Sequence, residues 1–114
     1  MAGMDDDERD DIHKDFTDAV NMTPAAIEKF LDTDESKGVG QKKDGATEST
    51  GHASGRRIVK ILRSRKSDLS DDDYAHMKKV TGYVARHVKQ RPSGDVTDTP
   101  WRYSLMNWGH DPKK

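Results

Sequence analysis

Gly51-His52-Ala53-Ser54-Gly55-Arg56-Arg57-Ile58-Val59-Lys60-Ile61-Leu62 opens the stretch that decides the fold, and the stretch runs on to Gln90. Two helices are written in it. In the first, Arg56, Lys60 and Arg63 fall at i, i+4 and i+7 on one face, while Ile58, Val59, Ile61 and Leu62 take the other. Ser54 is the expected N-cap. After the connector Ser67-Asp68-Leu69-Ser70, Ser70 reads as a second N-cap. Asp73 three residues on completes a shortened capping box, and Leu69 is placed to staple against Tyr74. Asp71, Asp72 and Asp73 then fill the first turn, where the helix dipole favours acids. The helix that follows carries Tyr74, Met77, Val80, Val84 and Val88 as its buried stripe with Tyr83 beside it, and turns Lys78, Lys79, Arg86 and Lys89 outward. Gly82 in mid-helix, about 1 kcal/mol worse than alanine, suggests a close helix crossing. Arg91-Pro92 ends the run.

Working back from this centre, Ser36–Gly51 is rich in glycine and nearly free of apolar residues, and it reads as a long mobile loop. Gly38-Val39-Gly40 does not make it a phosphate loop, because no Gly-Lys-Ser/Thr follows and no strand precedes. Before it, Thr23 caps a helix with Pro24 at its first position and Ile27, Phe30 and Leu31 as its stripe. A shorter helix from about Asp10 carries Ile12, Phe16, Ala19 and Val20, and the two meet at a tight turn around Asn21. Residues 1–10 form an acidic leader of the kind that self-repels and stays disordered. On the other side, residues 93–100 are a polar linker. Trp101, Leu105 and Trp108 then recur at i, i+4 and i+7 before Gly109, as the core side of a short last helix or, with Arg102, as a surface that stacks bases.

The expected fold is all-α: a bundle of four to five helices in one domain over residues 11–112, with a flexible acidic N-terminus and the Gly-rich loop. Of the 114 residues 31% are hydrophobic and 36% charged, with a mean hydropathy of −1.07. That polarity leaves too little apolar surface to order every residue against a backbone entropy of roughly 1–2 kcal/mol each. The chain has no cysteine, which excludes disulfides, thiolate metal sites and a cysteine nucleophile. No apolar run is long enough to span a bilayer and no signal-like segment follows Met1, so an intracellular protein, cytoplasmic or at the nucleoid or nucleus, is expected. The five histidines lie apart, without metal-ligand spacing, and no serine sits in a nucleophile elbow. No cofactor, metal or catalytic residue is expected, and the chain does not read as an enzyme.

The net charge of −1 conceals a strong split. Residues 1–35 carry twelve acids against three bases, and residues 56–91 carry eleven bases against four acids. A basic centre attracts polyanions, or else the acidic start folds back and neutralises it. The candidate anion or nucleic-acid contacts are His52, Ser54, Arg56, Arg57, Lys60, Arg63, Arg65 and Lys66, with Lys78, Lys79, Arg86 and Lys89 as a second strip. A groove-reading helix at Asp71 is excluded, since three aspartates would meet phosphate first.

Several stretches taken together resemble the small family known as domain of unknown function 3140. They are Asn21-Met22-Thr23, Thr33-Asp34-Glu35-Ser36, Glu48-Ser49 with Gly51-His52, Ser54 to Val59, His76-Met77 with Gly82-Tyr83-Val84, and Trp101-Arg102-Tyr103 through Asn107-Trp108-Gly109-His110-Asp111-Pro112. The resemblance covers about residues 15–112. It implies no catalytic residues; members are sometimes labelled DNA-binding. Two functions are therefore carried forward. One is binding of DNA or RNA through phosphate contacts of the basic helical face. The other is a non-enzymatic protein-interaction or stress-related accessory role, in which that face pairs with an acidic partner.

Overall fold

A computed structural model describes residues 5–39 and 48–114. Six α-helices account for the regular structure among the described residues: α1 Asp6–Ala19, α2 Pro24–Leu31, α3 Asp34–Gly38, α4 Thr50–Arg63, α5 Asp71–Val88 and α6 Pro100–Asn107, with a 3-10 turn at Lys66–Asp68. The fold is all-helical, with one helix more than the four or five expected. The extra one is α3, which Thr33 starts by accepting a hydrogen bond from the Ser36 amide.

Helix α1 packs along α5 and α2 along α4, while α6 touches α2, α3, α4 and α5 and ties the two pairs together. Its apolar side explains that position: Trp101, Leu105 and Trp108 are all buried. The core spans all the long helices, with Phe16, Ile27, Ile58, Met77 and Val80 essentially inaccessible. The strongest local signals are realised atom for atom. Ser70 and Asp73 exchange both bonds of the capping box, and Thr23 and Pro24 start α2 as the spacing requires.

Four expectations are corrected. Helix α1 begins at Asp6, capped by the Asp5 carboxylate, so residues 6–10 of the acidic leader are helical. Their charges are useful there: acids occupy the first turn, and Arg9 and Asp10 pair with Asp71 and Lys66. Helix α4 begins at Thr50, not after Ser54. Ser49 is the N-cap, and Ser54 is buried in mid-helix. The expected loop 36–51 thus loses its two ends to α3 and α4, and its centre, like residues 1–4, lies outside the described residues. Val88 is 38% exposed rather than part of the buried stripe.

The fourth correction concerns the close crossing, which belongs to Gly55 rather than Gly82. A Cβ on Gly55 would stand 2.7 Å from both the Asn107 carbonyl oxygen and Leu31 Cδ2, whereas one on Gly82 would meet only the Arg86 guanidinium. Glycine at 55 lets α4 lie directly on α2 and α6.

The chain end closes on the first turn. Asn21 Nδ2 donates to the Asp111 carbonyl (3.0 Å) and Asn21 Oδ1 accepts from the Asp111 amide (2.7 Å). His110 Nδ1 donates to the Ala19 carbonyl, and Met22 N–H to that of Gly109. Gly109 adopts a φ of 80°, where a side chain would be strained and would strike Val20. Among the described residues no helix is long and apolar enough to cross a membrane.

Candidate functional site

Most of the bases singled out on α4 are held by acids of the same chain. Arg56 grips Glu48 with two bonds, Nε at 2.8 Å and Nη2 at 2.6 Å, and His52 Nδ1 meets the same carboxylate. The Arg56 hydrogen bonds hold Glu48 below the usual carboxylate range against the cost of its burial, with His52 assisting. His52 Nε2 lies 2.8 Å from the Leu31 carbonyl, so this histidine braces α4 against α2. Arg57 faces Asp73 at 3.4 Å, Arg63 pairs with Glu28, Arg65 with Asp68 and Lys66 with Asp10. Asp73 is itself depressed, first by the Ser70 amide. Lys60 makes no ion pair among the described residues.

The second strip is different. Lys78, Lys79, Arg86 and Lys89 are exposed and make no ion pair among the described residues. Lys78, Gly82, Arg86 and Lys89 follow at i, i+4, i+8 and i+11, so the strip is one solvent face of α5 with Lys79 at its border. Lys78 and Arg86 also edge a hollow bounded by Glu8, Asp11 and Asp15 of α1.

Along the other border of that strip runs a column of rings. Trp108 stacks on Tyr83 with centroids 4.3 Å apart and planes 16° from parallel, and on His76 at 6.2 Å. His87 stacks on Tyr83 at 5.1 Å and on Trp101 at 6.4 Å, and the Arg91 guanidinium sits 5.5 Å over the Trp101 ring. His76, Tyr83 and His87 project from one side of α5, and the two tryptophans of α6, seven residues apart, fit between them. Burial raises the Tyr83 phenol and lowers His87. Ser54 reaches this column too, its hydroxyl 2.9 Å from His76 Nε2.

A cleft of about 490 Å³ opens beside the column, between the start of α4, the middle of α5 and the end of α6. Trp108, Tyr83 and His87 form its apolar wall, Lys79 and Arg86 its rim, and Thr50 and Gly51 its far side. No acid lines it. A neighbouring hollow of about 300 Å³ shares Thr50, Lys79 and Trp108 and brings in Glu48, Arg57, Ser54 and His76. Of the predicted contacts, the molecule therefore places Lys79 and Arg86 on the cleft and Ser54, Arg57 and Lys79 on the neighbouring hollow, and leaves Arg63, Arg65 and Lys66 away from both. Trp108, Tyr83, Thr50 and Gly51 were not among the predicted contacts. The cue for the last two was the Ser49-Thr50 pair, a valid N-cap and first turn that Ser54 obscured.

No curated protein and no solved structure matches the chain. A family model, described as "Protein of unknown function (DUF3140)", matches residues 15–106, and the chain belongs to that family.

Proposed function

We propose that the protein is a non-enzymatic interaction module whose exposed α5 face, Lys78, Lys79, Arg86 and Lys89, meets an acidic surface of a protein partner. The observation that carries this reading is the neutralisation of α4 and the turn after it: Arg56, Arg57, Arg63, Arg65 and Lys66 each lie against an acid of the same chain. A duplex would have to displace those acids, and it would also meet Asp71 and Asp72 at the start of α5 and the α1 carboxylates beside Arg86. With Lys60, only five of the predicted cations are without an ion pair among the described residues; so few offset few phosphates, and such binding weakens steeply with salt. They suit a compact acidic patch, where charge complementarity supplies orientation and encounter rate.

Nucleic-acid binding is the second reading, favoured by the absence of acids paired with those four side chains among the described residues. It would use phosphate contacts without base readout.

Fluorescence anisotropy with a labelled random duplex, across a salt series reaching about 0.15 M, separates the two. The protein-partner reading expects no saturable binding at the upper end. Saturable binding there, falling log-linearly with salt and abolished by K78E/K79E/R86E/K89E, would overturn it in favour of nucleic acid.

A further inference from the structure

The cleft beside Trp108 combines features that a packed core does not need. Trp108 is 4% exposed, yet its indole N–H donates to no acceptor among the described residues, while that of Trp101 is spent on the His87 carbonyl at 2.7 Å. Tryptophans this deeply packed ordinarily place the indole N–H on a partner. The Trp108 Nε1 is directed at the start of α4, 3.1 Å from where a Cβ of Gly51 would be, so the missing side chain opens the approach. At that same helix start the His52 and Ala53 amides are taken by Ser49 Oγ and O. The Thr50 and Gly51 amides, first and second in the helix, have no acceptor among the described residues. Two cations, Lys79 and Arg86, stand at the rim. His87 Nε2, buried and unpartnered, belongs to the same wall.

Trp108, Thr50, Gly51, Lys79 and Arg86 line one volume, and no acid is among its described lining residues. The positive end of the α4 dipole adds to the same field. The remaining lining is the ring surface of Tyr83 and Trp108 with Ser104 and Asn107 beside it, and the volume lies in the range of about 300–1,000 Å³ that small organic ligands occupy. We propose that this cleft is a binding site for a small organic anion: a carboxylate or phosphate head held by Trp108 Nε1, the α4 amides, Lys79 and Arg86, with an apolar, ring-bearing body against Tyr83 and Trp108. Lys79 and Arg86 also belong to the α5 strip, so a partner seated there would share the rim, whereas Trp108 and the start of α4 lie off that strip. A response of Trp108 to aryl anions therefore tests the cleft whether or not the α5 face has a protein partner.

The two tryptophans make the test direct. In an indole N–H NMR spectrum of the full chain, Trp101→Phe assigns the two side-chain signals. Phenyl phosphate and benzoate, which differ only in the anionic head, are titrated beside inorganic phosphate and benzylamine. The expected result is a saturable shift of the Trp108 signal with one or both aryl anions, a still Trp101 signal, and no response to benzylamine. K79Q/R86Q changes two exposed side chains, leaves the fold intact and weakens the aryl anion at least about tenfold. Gly51→Ala, which puts a methyl against Trp108 Nε1, blocks it. The proposal is overturned if neither aryl anion moves Trp108 saturably, if benzylamine moves it as far, or if K79Q/R86Q binds as tightly as the parent. Inorganic phosphate binding as tightly as phenyl phosphate would overturn the apolar half of the assignment and reduce the site to a bare-ion one.

Discussion

Tyr83 and Trp108 lie face to face, 4.3 Å between centroids, although they stand 25 positions apart in the chain, on α5 and at the end of α6. This contact is where α6 locks onto α5, and it also forms the wall of the cleft. Shape and the N–H group can be separated by substitution. Trp108→Phe keeps a ring on Tyr83 and gives up a donor that has no acceptor among the described residues, so it costs about 1–2 kcal/mol. Trp108→Ala removes the ring from between His76 and Tyr83 and costs about 3–5 kcal/mol. Urea unfolding of the two variants checks the order; equal losses would show that the ring contributes nothing beyond its N–H.

Two glycines of the central helices have opposite prospects. Gly55→Ala drives a methyl into the Asn107 carbonyl and Leu31 at 2.7 Å, and backbone cannot step aside as a flexible side chain can. It lowers stability by about 1–3 kcal/mol or more. At Gly82 the nearest group is the end of the exposed Arg86 side chain, at 3.1 Å, which can swing away. Gly82→Ala therefore stabilises α5 by about 0.5–1 kcal/mol through helix propensity. Thermal melts of the pair read both signs at once.

This pair also marks how far the sequence could be read. Caps and apolar spacing are local, so Thr23-Pro24, Ser70 with Asp73, and the Trp101, Leu105, Trp108 stripe are legible and place α2, α5 and α6. A glycine in a helix signals only that something comes near, and which glycine does so depends on what packs there in three dimensions; Gly55 was invisible for that reason. Ser49 and Ser54 compete as caps on local grounds, and burial of Ser54 beside His76 decides between them. The basic face was legible as composition. Its neutralisation was not, because Glu28, Glu48 and Asp10 reach Arg63, Arg56 and Lys66 only after folding. The residues that carry the family resemblance are explained in part by closure. Asn21 meets Asp111, and Ser36 meets Asn107, each pair being far apart in the chain.

The Ser36–Asn107 pair supports a further prediction. Both residues are buried, at 0% and 1% exposure; the Ser36 hydroxyl bonds to Asn107 Oδ1, and Asn107 Nδ2 donates to the Ser36 carbonyl at 3.1 Å. Asn107→Ala strands a buried hydroxyl and a carbonyl, at about 1–3 kcal/mol for such a group. Asn107→Asp is worse than alanine at neutral pH, because it sets a carboxylate against the Ser36 carbonyl in a dry site. Denaturant midpoints should fall in the order parent, alanine, aspartate. An aspartate variant as stable as the parent would mean that the site is wet.

His76 supplies a pH dependence whose sign can be worked out. Burial first, then the positive fields of Arg57 and Lys79, push its imidazole from 6.5 down to about 4, with Asp73 opposing only in part. Between those values the unfolded chain takes up a proton that the folded chain refuses, so the unfolded state binds more protons and stability rises with pH across the window. The contribution is fully present above 6.5 and is lost as the pH falls toward 4. His87, lowered by burial, acts in the same direction. Below that range carboxylate protonation adds its own loss, so the informative quantity is the difference from a variant. His76→Gln keeps a polar partner for Ser54 and cannot titrate. Its melting temperature should fall less than that of the parent as the pH is lowered from 6.5 toward 4. Parallel profiles would remove His76 from the account and leave the acid sensitivity to the carboxylates alone.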